Sequence, residues 1–311
     1  MNAHTKLIAL IGHPIGHTKS PELFDHFTDE FETNTVYVPF DVEPGNLVTA
    51  INGLKAMGFR GANITAPYKT LVYKHARKLG IKLTEVAKKC QSVNCLYYED
   101  GVLWGTTTDF IAFRDLFNNV VDSAVVSSVL VIGSGSMAKV VTQAVWNSML
   151  FGCVDFVCRN HKKCSAEIMP MYNKYVRDFK KNVGSLRLKS SHHVQPSFFW
   201  MSERTDTMIN IVHQYDVIVN CTPVGMYPET SYSPLTETVA LTLHSKQTVI
   251  DLIYNPPETK LLLQATEHGC NAVNGKMMLI DQFVESFRLW FPRETSGCTK
   301  DELVKFALKG W

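Results

Sequence analysis

The stretch Ser128-Val-Leu-Val-Ile-Gly-Ser-Gly-Ser-Met-Ala138 decides the fold prediction. Its first five residues are a β-type apolar run, and a glycine-rich loop follows at once and leads into a helical pattern. A strand, a GxGxxA loop and a helix in this order are typical of a dinucleotide-binding unit. Glycine loops also occur as plain turns in sheet proteins, so the interpretation depends on the placement of this loop between strand and helix.

The small residues of this loop have separate roles in that interpretation. Gly133 permits the tight turn, Gly135 lets the backbone approach a pyrophosphate, and Ala138 permits close packing of helix on strand. Backbone N–H groups at the start of the helix then face the phosphates. We therefore predict a cofactor loop formed by Gly133, Ser134, Gly135, Ser136, Met137 and Ala138.

The end of the next predicted strand, residues 153–159, indicates which dinucleotide the loop binds. A protein that uses NAD usually places an acidic residue there for the ribose 2′-hydroxyl. Here the strand is followed by Asn160-His-Lys-Lys163, and no acid appears before Glu167. The planar guanidinium of Arg159 suits a 2′-phosphate and favours NADP. A solvated basic run on the surface is the other interpretation.

Outward from this unit, the first hundred residues also alternate apolar runs with helical patterns. Strands are predicted at residues 6–12, 36–42 and 61–66, and a hairpin is predicted to turn at Asp100-Gly101. This alternation is typical of an open α/β sheet. At roughly 100–200 residues per domain, a chain of 311 residues suggests two domains, and we place their boundary near residue 108.

Composition excludes several classes of protein. With 45% hydrophobic and 19% charged residues the chain is globular, and a net charge of +2 gives no basic excess for nucleic acid. No apolar run reaches the ~18 residues of a membrane span, and the N-terminal apolar stretch is too short for a signal peptide. The eight cysteines form no CxxC and no zinc-type spacing. We expect a cytoplasmic protein with reduced thiols and no metal.

Polar residues in the first domain are candidate substrate ligands. Thr18 and Ser20 put two hydroxyls just before a predicted helix, where they suit a carboxylate. Taken alone, Ser20 is better explained as a helix N-cap. Asn63 and Thr65 lie on one face of the third predicted strand. Lys69 follows at the start of a helix, an unfavourable place for a cation, and a surface lysine is the alternative.

Two further candidates are Asn94 in the hairpin and Asp109 at the domain junction. Asp109 begins a predicted helix, so an ordinary first-turn acid is one interpretation. Its place between the sheet that holds Lys69 and the cofactor domain permits another role.

Together these stretches resemble the shikimate dehydrogenase family. The matches occur in the family's order and span nearly the whole chain. They are residues 12–21, 61–69, 92–96, 105–109, 133–138, 220–226, 251–259 and 275–282.

The resemblance implies two α/β domains. Residues 1–108 would form a substrate domain with an open mixed sheet, which the C-terminal helices of residues 277–311 complete. Residues 109–276 would form a Rossmann-like NADP-binding domain. The implied activity is reversible, NADP-dependent reduction of 3-dehydroshikimate to shikimate, a step of aromatic amino acid biosynthesis. The expected partner is this small-molecule substrate, without nucleic acid or membrane, and the expected assembly is a monomer or a homodimer.

The resemblance also implies a role for each matched residue. Lys69 and Asp109 would be the catalytic acid–base pair, and Thr18 and Ser20 would hold the substrate carboxylate. The residues expected around the substrate ring are Asn63, Thr65, Asn94, Tyr254 and Gln282. The residues expected to bind the cofactor besides the glycine loop are Arg159, Asn160, Thr222, Pro223, Met226, Gly275 and Met278.

The chain departs from the family pattern at four places. Thr18 and Cys95 replace a usual Ser and Thr, and Thr107-Thr108-Asp109-Phe110 replaces Asn-Thr-Asp-Gly. Cys158-Arg159-Asn160 replaces Asn-Arg-Thr. The first three surround the substrate, so a dehydrogenase of quinate or a similar cyclic polyol acid is an alternative. A ligand-binding relative without turnover is another, although binding alone requires no acid–base pair.

Overall fold

The computed structural model describes residues 2–16, 18–122, 125–148, 152–183, 195–201 and 205–310. The strands in these ranges are β1 Lys6–Gly12, β2 Thr35–Asp41, β3 Gly61–Ile64, β4 Lys82–Leu83, β5 Cys95–Glu99, β6 Val102–Thr106, β7 Ser128–Ile132, β8 Cys153–Cys158, β9 Phe198–Trp200, β10 Val217–Asn220, β11 Thr248–Asp251 and β12 Asn271–Val273. The helices are α1 Ser20–Glu30, α2 Leu47–Ala56, α3 Lys69–His75, α4 Glu85–Cys90, α5 Asp109–Val120, α6 Ser136–Ser148, α7 His161–Val183, α8 Thr205–His213, α9 Glu237–Ala240, α10 Lys260–Glu267, α11 Lys276–Trp290 and α12 Lys300–Lys309.

The chain forms two compact units. The first contains Met1–Ala112 and Leu279–Trp311, and the second contains Phe113–Met278. The first boundary therefore falls inside α5, a few residues after the position expected from the sequence, and the second falls near the start of α11. The C-terminal part of the chain from Leu279 onward belongs to the first unit.

The first unit contains a mixed sheet with the strand order β2-β1-β3-β5-β6-β4. Strand β1 pairs in parallel with β2 and β3, whereas β5 is antiparallel to both β3 and β6. The hairpin between β5 and β6 turns at Asp100 and Gly101, whose φ angles are 50° and 73°. Two left-handed residues in a row are typical of a type I′ turn, so the predicted hairpin is confirmed.

An aromatic cluster joins α1 to α11 in the first unit. Phe27 packs against Phe283 and Phe287 with ring centroids 5.1 and 4.9 Å apart. Trp290 at the end of α11 donates its indole N–H to the Leu96 carbonyl at 2.9 Å. A side chain at position 61 would collide with this indole, so Gly61 permits the close contact between helix and sheet.

The second unit contains a parallel sheet with the order β12-β11-β10-β7-β8-β9. All five strand pairs are parallel. In chain order this is the doubly wound arrangement of a Rossmann-type fold, in which ligands bind at the carboxyl ends of the strands where the order reverses, here at β7 and β10. The predicted fold class is confirmed.

The cysteines, the potential metal ligands and the longer helices bear on compartment, metal binding and membrane insertion. All eight cysteines are free thiols. Their reduced state in the cell stays a prediction. In the described ranges, no three His, Cys, Asp or Glu side chains are grouped so that they can hold a metal ion. Across the same ranges, no helix combines the length and apolar character needed to cross a bilayer.

Candidate functional site

Lys69 and Asp109 form a largely buried ion pair. The Lys69 Nζ lies 2.8 Å from the Asp109 Oδ2, and the two side chains are 13% and 5% exposed. Each is the first residue of its helix, α3 and α5. The helix dipole favours a carboxylate at such a position and disfavours an ammonium, and the Asp109 carboxylate supplies a counter-charge to the Lys69 ammonium. Neither residue is an ordinary surface side chain.

Three predicted substrate ligands lie in one hydrogen-bond network, here called the amide network: Asn63, Asn94 and Gln282. The Asn94 Nδ2 donates to Gln282 Oε1 at 3.2 Å and to Thr108 Oγ1 at 2.9 Å. The Asn63 Nδ2 donates to the Asn94 carbonyl at 3.1 Å. Since Thr108 directly precedes Asp109, the network borders the ion pair.

Sequence reasoning missed two members of this network, Tyr37 and Ser286. The Tyr37 hydroxyl donates to Asn63 Oδ1 at 2.9 Å, and the Asn63 Nδ2 donates to Ser286 Oγ at 3.2 Å. Ser286 in turn donates to the Gln282 carbonyl at 2.8 Å. Ser286 lies one helical turn after Gln282, so their i,i+4 spacing was a usable signal. Tyr37 gave no such signal, because strand pairing alone brings it near Asn63.

Thr18, Ser20 and Thr65 occupy positions outside the amide network. Ser20 is the first residue of α1 and Lys19 takes the N-cap position without a side-chain cap, so the N-cap interpretation of Ser20 is wrong. The Thr18 Oγ1 accepts a hydrogen bond from the Ser20 N–H at 3.3 Å. Thr65 follows the end of β3, and its methyl fills the space beside Gly12. No hydrogen bond between described residues joins these three to the network.

The predicted cofactor loop lies between β7 and α6. Gly133 has a φ of 121°, a conformation that L side chains rarely adopt. A Cβ added at Gly135 would meet no protein atom within 4 Å and would enter open space beside the loop. Ala138 is fully buried and lets α6 pack closely. This geometry fits a dinucleotide, because a side chain at position 135 would fill the space that a pyrophosphate needs.

The loop after β10 adjoins the glycine loop. A Cβ on Gly133 would lie 3.2 Å from the Thr222 methyl. The N–H and the hydroxyl of Thr222 both donate to Asn220 Oδ1, at 3.0 and 2.7 Å. The Met226 N–H closes a turn on the Pro223 carbonyl at 3.1 Å. The predicted cofactor residues of these two loops are therefore neighbours.

Other predicted residues lie at or near the ends of strands β8 and β11. Arg159 is exposed after β8. The Asn160 Oδ1 accepts the Lys163 N–H at 2.9 Å and caps α7. Tyr254 is half-buried after β11 in the second unit. A side chain at Gly275 would collide with the backbone of Leu252, so only glycine fits there.

Met278 is buried in the first turn of α11. It is the last residue of the second unit.

Comparison with known proteins identifies the family. A profile described as the shikimate dehydrogenase substrate binding domain matches residues 10–96. The shikimate dehydrogenase (NADP(+)) of Methanococcus aeolicus is 32% identical, and the alignment covers 93% of each chain. This chain belongs to the shikimate dehydrogenase family.

Two further members of the shikimate dehydrogenase family show how far the likeness extends. The shikimate dehydrogenase (NADP(+)) of Moorella thermoacetica is 32% identical over 99% of this chain and 95% of its own. A crystal structure of a shikimate dehydrogenase in complex with NADP+ has a TM-score of 0.76 and 29% identity over 99% of this chain and 96% of its own. The predicted resemblance is confirmed.

Cys95, where the shikimate dehydrogenase pattern usually has a threonine, is fully buried. Burial raises the pKa of its thiol to about 12. The thiol therefore stays protonated at neutral pH and acts as a small apolar group.

Asp251 is a fully buried carboxyl at the end of β11. Its Oδ1 accepts from Asn220 Nδ2 at 3.0 Å, and its Oδ2 accepts from Thr259 Oγ1 at 2.7 Å. Burial raises its pKa to about 6, and these hydrogen bonds oppose the shift only in part. Through Asn220 the carboxyl connects to Thr222 in the adjoining loop.

This pKa predicts a pH dependence of stability. An unfolded Asp ionises near pH 3.8 and the buried one near pH 6, so between these values the native state binds more protons than the unfolded state. The free energy of unfolding therefore falls as the pH rises through about 6. Between pH 5 and 7.5 we expect the free energy of unfolding of the wild type to fall by roughly 1 to 1.5 kcal/mol more than that of Asp251→Asn, because the amide does not titrate.

Urea unfolding of both proteins at the two pH values measures this difference. Glu258→Gln, at an exposed position of the same segment, should keep the wild-type dependence. Parallel pH profiles for wild type and Asp251→Asn would show that Asp251 does not titrate in this range.

Proposed function

We propose that this chain is an NADP-dependent shikimate dehydrogenase that interconverts 3-dehydroshikimate and shikimate. The observation that carries the proposal is the largely buried Lys69–Asp109 ion pair at the border of the amide network. The similar proteins of Methanococcus aeolicus and Moorella thermoacetica are named shikimate dehydrogenase (NADP(+)). In this proposal the first unit binds the substrate and the second binds NADP.

The second unit supplies the cofactor site. When bound, NADP supplies or takes up the hydride. The loop of Gly133–Ala138 would hold the pyrophosphate, and Arg159 with Asn160 would lie at the 2′-phosphate end. The residues proposed for the nicotinamide side are Thr222, Pro223, Met226, Gly275 and Met278.

Lys69 is the proposed acid–base catalyst. Reduction of a ketone leaves negative charge on its oxygen, and the Lys69 ammonium can neutralise this charge by donating a proton. In the reverse direction the neutral amine accepts the proton of the substrate hydroxyl. Asp109, at 2.8 Å, fixes the position of the Lys69 Nζ and supplies a second contact for the hydroxyl.

Polar residues of the first unit are proposed to orient the substrate. The Thr18 hydroxyl accepts from the backbone of Ser20 and keeps its own proton to donate to a carboxylate. The positive end of α1 favours the same anion. The residues proposed beside the hydroxyl-bearing ring are Asn63, Thr65, Asn94, Gln282 and, from the second unit, Tyr254.

We further propose that the protein works in the cytoplasm as a monomer or a homodimer. Eight free cysteines support a reducing compartment.

Substrate turnover tests the proposed function. We expect NADP+ to be reduced with shikimate, NADPH to be oxidised with 3-dehydroshikimate, and shikimate to be preferred over quinate in kcat/KM. The methyl of Thr18 adds bulk at the proposed carboxylate site, where quinate carries an extra substituent. One such contact is worth about 1–3 kcal/mol in discrimination. A wild type that prefers quinate would overturn the substrate assignment.

The same assays on Thr18→Ser test the physical reason. Serine keeps the hydroxyl and removes only the methyl, so the preference for shikimate should narrow. An unchanged ratio would show that the methyl does not select the substrate.

A further inference from the structure

Trp200 is an exposed indole at the end of the edge strand β9. Its side chain is 49% exposed, an unusual state for so large an apolar group. Strand register places it directly beside Cys158, the last residue of β8. Its indole N–H donates to the carbonyl of Arg159 at 3.0 Å. The indole therefore holds the backbone of the residue proposed to bind the 2′-phosphate.

Two other contacts, one from β9 and one from the residue after it, act on the same segment. The Trp200 ring packs against His161, the first residue of α7, with centroids 5.7 Å apart and an angle of 56°. The Met201 N–H donates to the Cys158 carbonyl at 3.0 Å. Met201 thus holds Cys158 before Arg159, Trp200 packs on His161 after it, and the indole holds the Arg159 carbonyl itself.

This arrangement affects how tightly a phosphate binds. Arg159 is an exposed residue beyond the last strand residue, and ordering its backbone and side chain around an anion costs conformational entropy. A backbone that is already held leaves less freedom to lose on binding, which strengthens binding without a new contact to the ligand. NAD lacks the 2′-phosphate that NADP carries, so this gain in binding affinity applies to NADP alone.

We propose that Trp200 is a positioning residue for cofactor selectivity: it holds Arg159 in the geometry that binds the 2′-phosphate. The proposal rests on the proposed use of NADP by this chain. It assigns a function to an edge-strand tryptophan outside the glycine loop and outside the 158–160 segment, and it requires no contact between Trp200 and the substrate.

Equilibrium titration of Trp200→Phe with NADPH and with NADH tests the proposal. Phenylalanine keeps an aromatic ring beside His161 and removes the N–H donor. Loss of one hydrogen bond should raise the Kd for NADPH about 3- to 10-fold, while the Kd for NADH and kcat at saturating NADP+ stay near wild type. Trp200→Ala should show a larger loss for NADPH, because the packing on His161 goes too.

Trp104→Phe is the matched control, since Trp104 lies on a strand of the first unit. It should change neither Kd. A wild type that binds NADPH no more tightly than NADH would overturn the NADP assignment and this inference with it. A wild type that prefers NADPH, with the same preference in Trp200→Phe, would overturn only the role of Trp200. Equal losses of affinity for NADPH and NADH in Trp200→Phe would show that Trp200 only supports the fold.

Discussion

Lys69→Ala should lower kcat by about 10²–10⁴-fold, the usual contribution of a general acid–base group. The KM for shikimate should change far less, because proton transfer matters in the transition state and adds little to ground-state binding. The alanine also leaves Asp109 without the cation that lies 2.8 Å away in the wild type. Steady-state kinetics in both reaction directions measure the effect.

Lys74→Ala is the control for this variant. Lys74 is an exposed lysine of the same helix, α3, so its removal changes the charge without touching the ion pair. It should leave kcat near the wild-type value. If Lys69→Ala keeps a near-normal kcat in the active direction, Lys69 is not the acid–base group.

Arg159→Ala should raise the Kd for NADPH by about 10- to 100-fold and leave the Kd for NADH nearly unchanged. A charge-assisted hydrogen bond contributes about 1.5–3 kcal/mol, which corresponds to one to two decades in affinity. Only NADPH carries the 2′-phosphate, so the loss should fall on that cofactor. Titration of both cofactors against both proteins measures it.

Lys162→Ala separates a specific contact from general charge attraction. Lys162 is an exposed cation of the same basic run. Its long-range attraction for the cofactor should contribute little to NADPH affinity and should weaken as salt is added. Comparable losses of NADPH affinity in Lys162→Ala and Arg159→Ala would favour the interpretation that residues 159–163 are only a solvated basic run on the surface. Equal losses for NADPH and NADH in Arg159→Ala would indicate an adenine contact or a folding defect.

The sequence predicted the local features of both units well. Strand β7, the glycine loop and α6 follow from residues that adjoin in the chain, and the type I′ hairpin follows from Asp100-Gly101. Helix α12 begins at Lys300, and its N-cap Thr299 forms a capping box with Glu302, a pattern that the sequence alone contains. Such signals need no tertiary information.

Short elements escaped prediction for a physical reason. Strands β4, β9 and β12 have only two or three residues, too few to show a periodicity. Residues 170–206 have weak periodicity and are rich in Lys, Ser and His, a pattern that predicts a helix followed by a long surface excursion. Helix α7 extends to Val183 and β9 follows later, while residues 184–194 and 202–204 lie outside the described residues.

The candidate site also divides into residues that the sequence could indicate and contacts that it could not. The resemblance identified Lys69, Asp109 and the three amides, but sequence alone cannot show that Asn63 and Asn94 share a network with α11. Those contacts join residues from β3, from the position just before β5 and from the C-terminal part of the chain. Tyr37 and Ser286 escaped because only the folded chain places them there.

The mutual pairing of the amides has a consequence for ligand recognition. Asn94 and Gln282 already satisfy part of each other's hydrogen-bonding capacity. A ring hydroxyl that binds between them must exchange one protein–protein hydrogen bond for a protein–ligand one, so the net gain in affinity per hydroxyl is small. When a hydroxyl is missing, the amides can pair again and no buried dipole is stranded. With the amides bound to ring hydroxyls as proposed, rejection of a deoxy analogue at this point is expected to be mild, and the network would align the ring more than hold it.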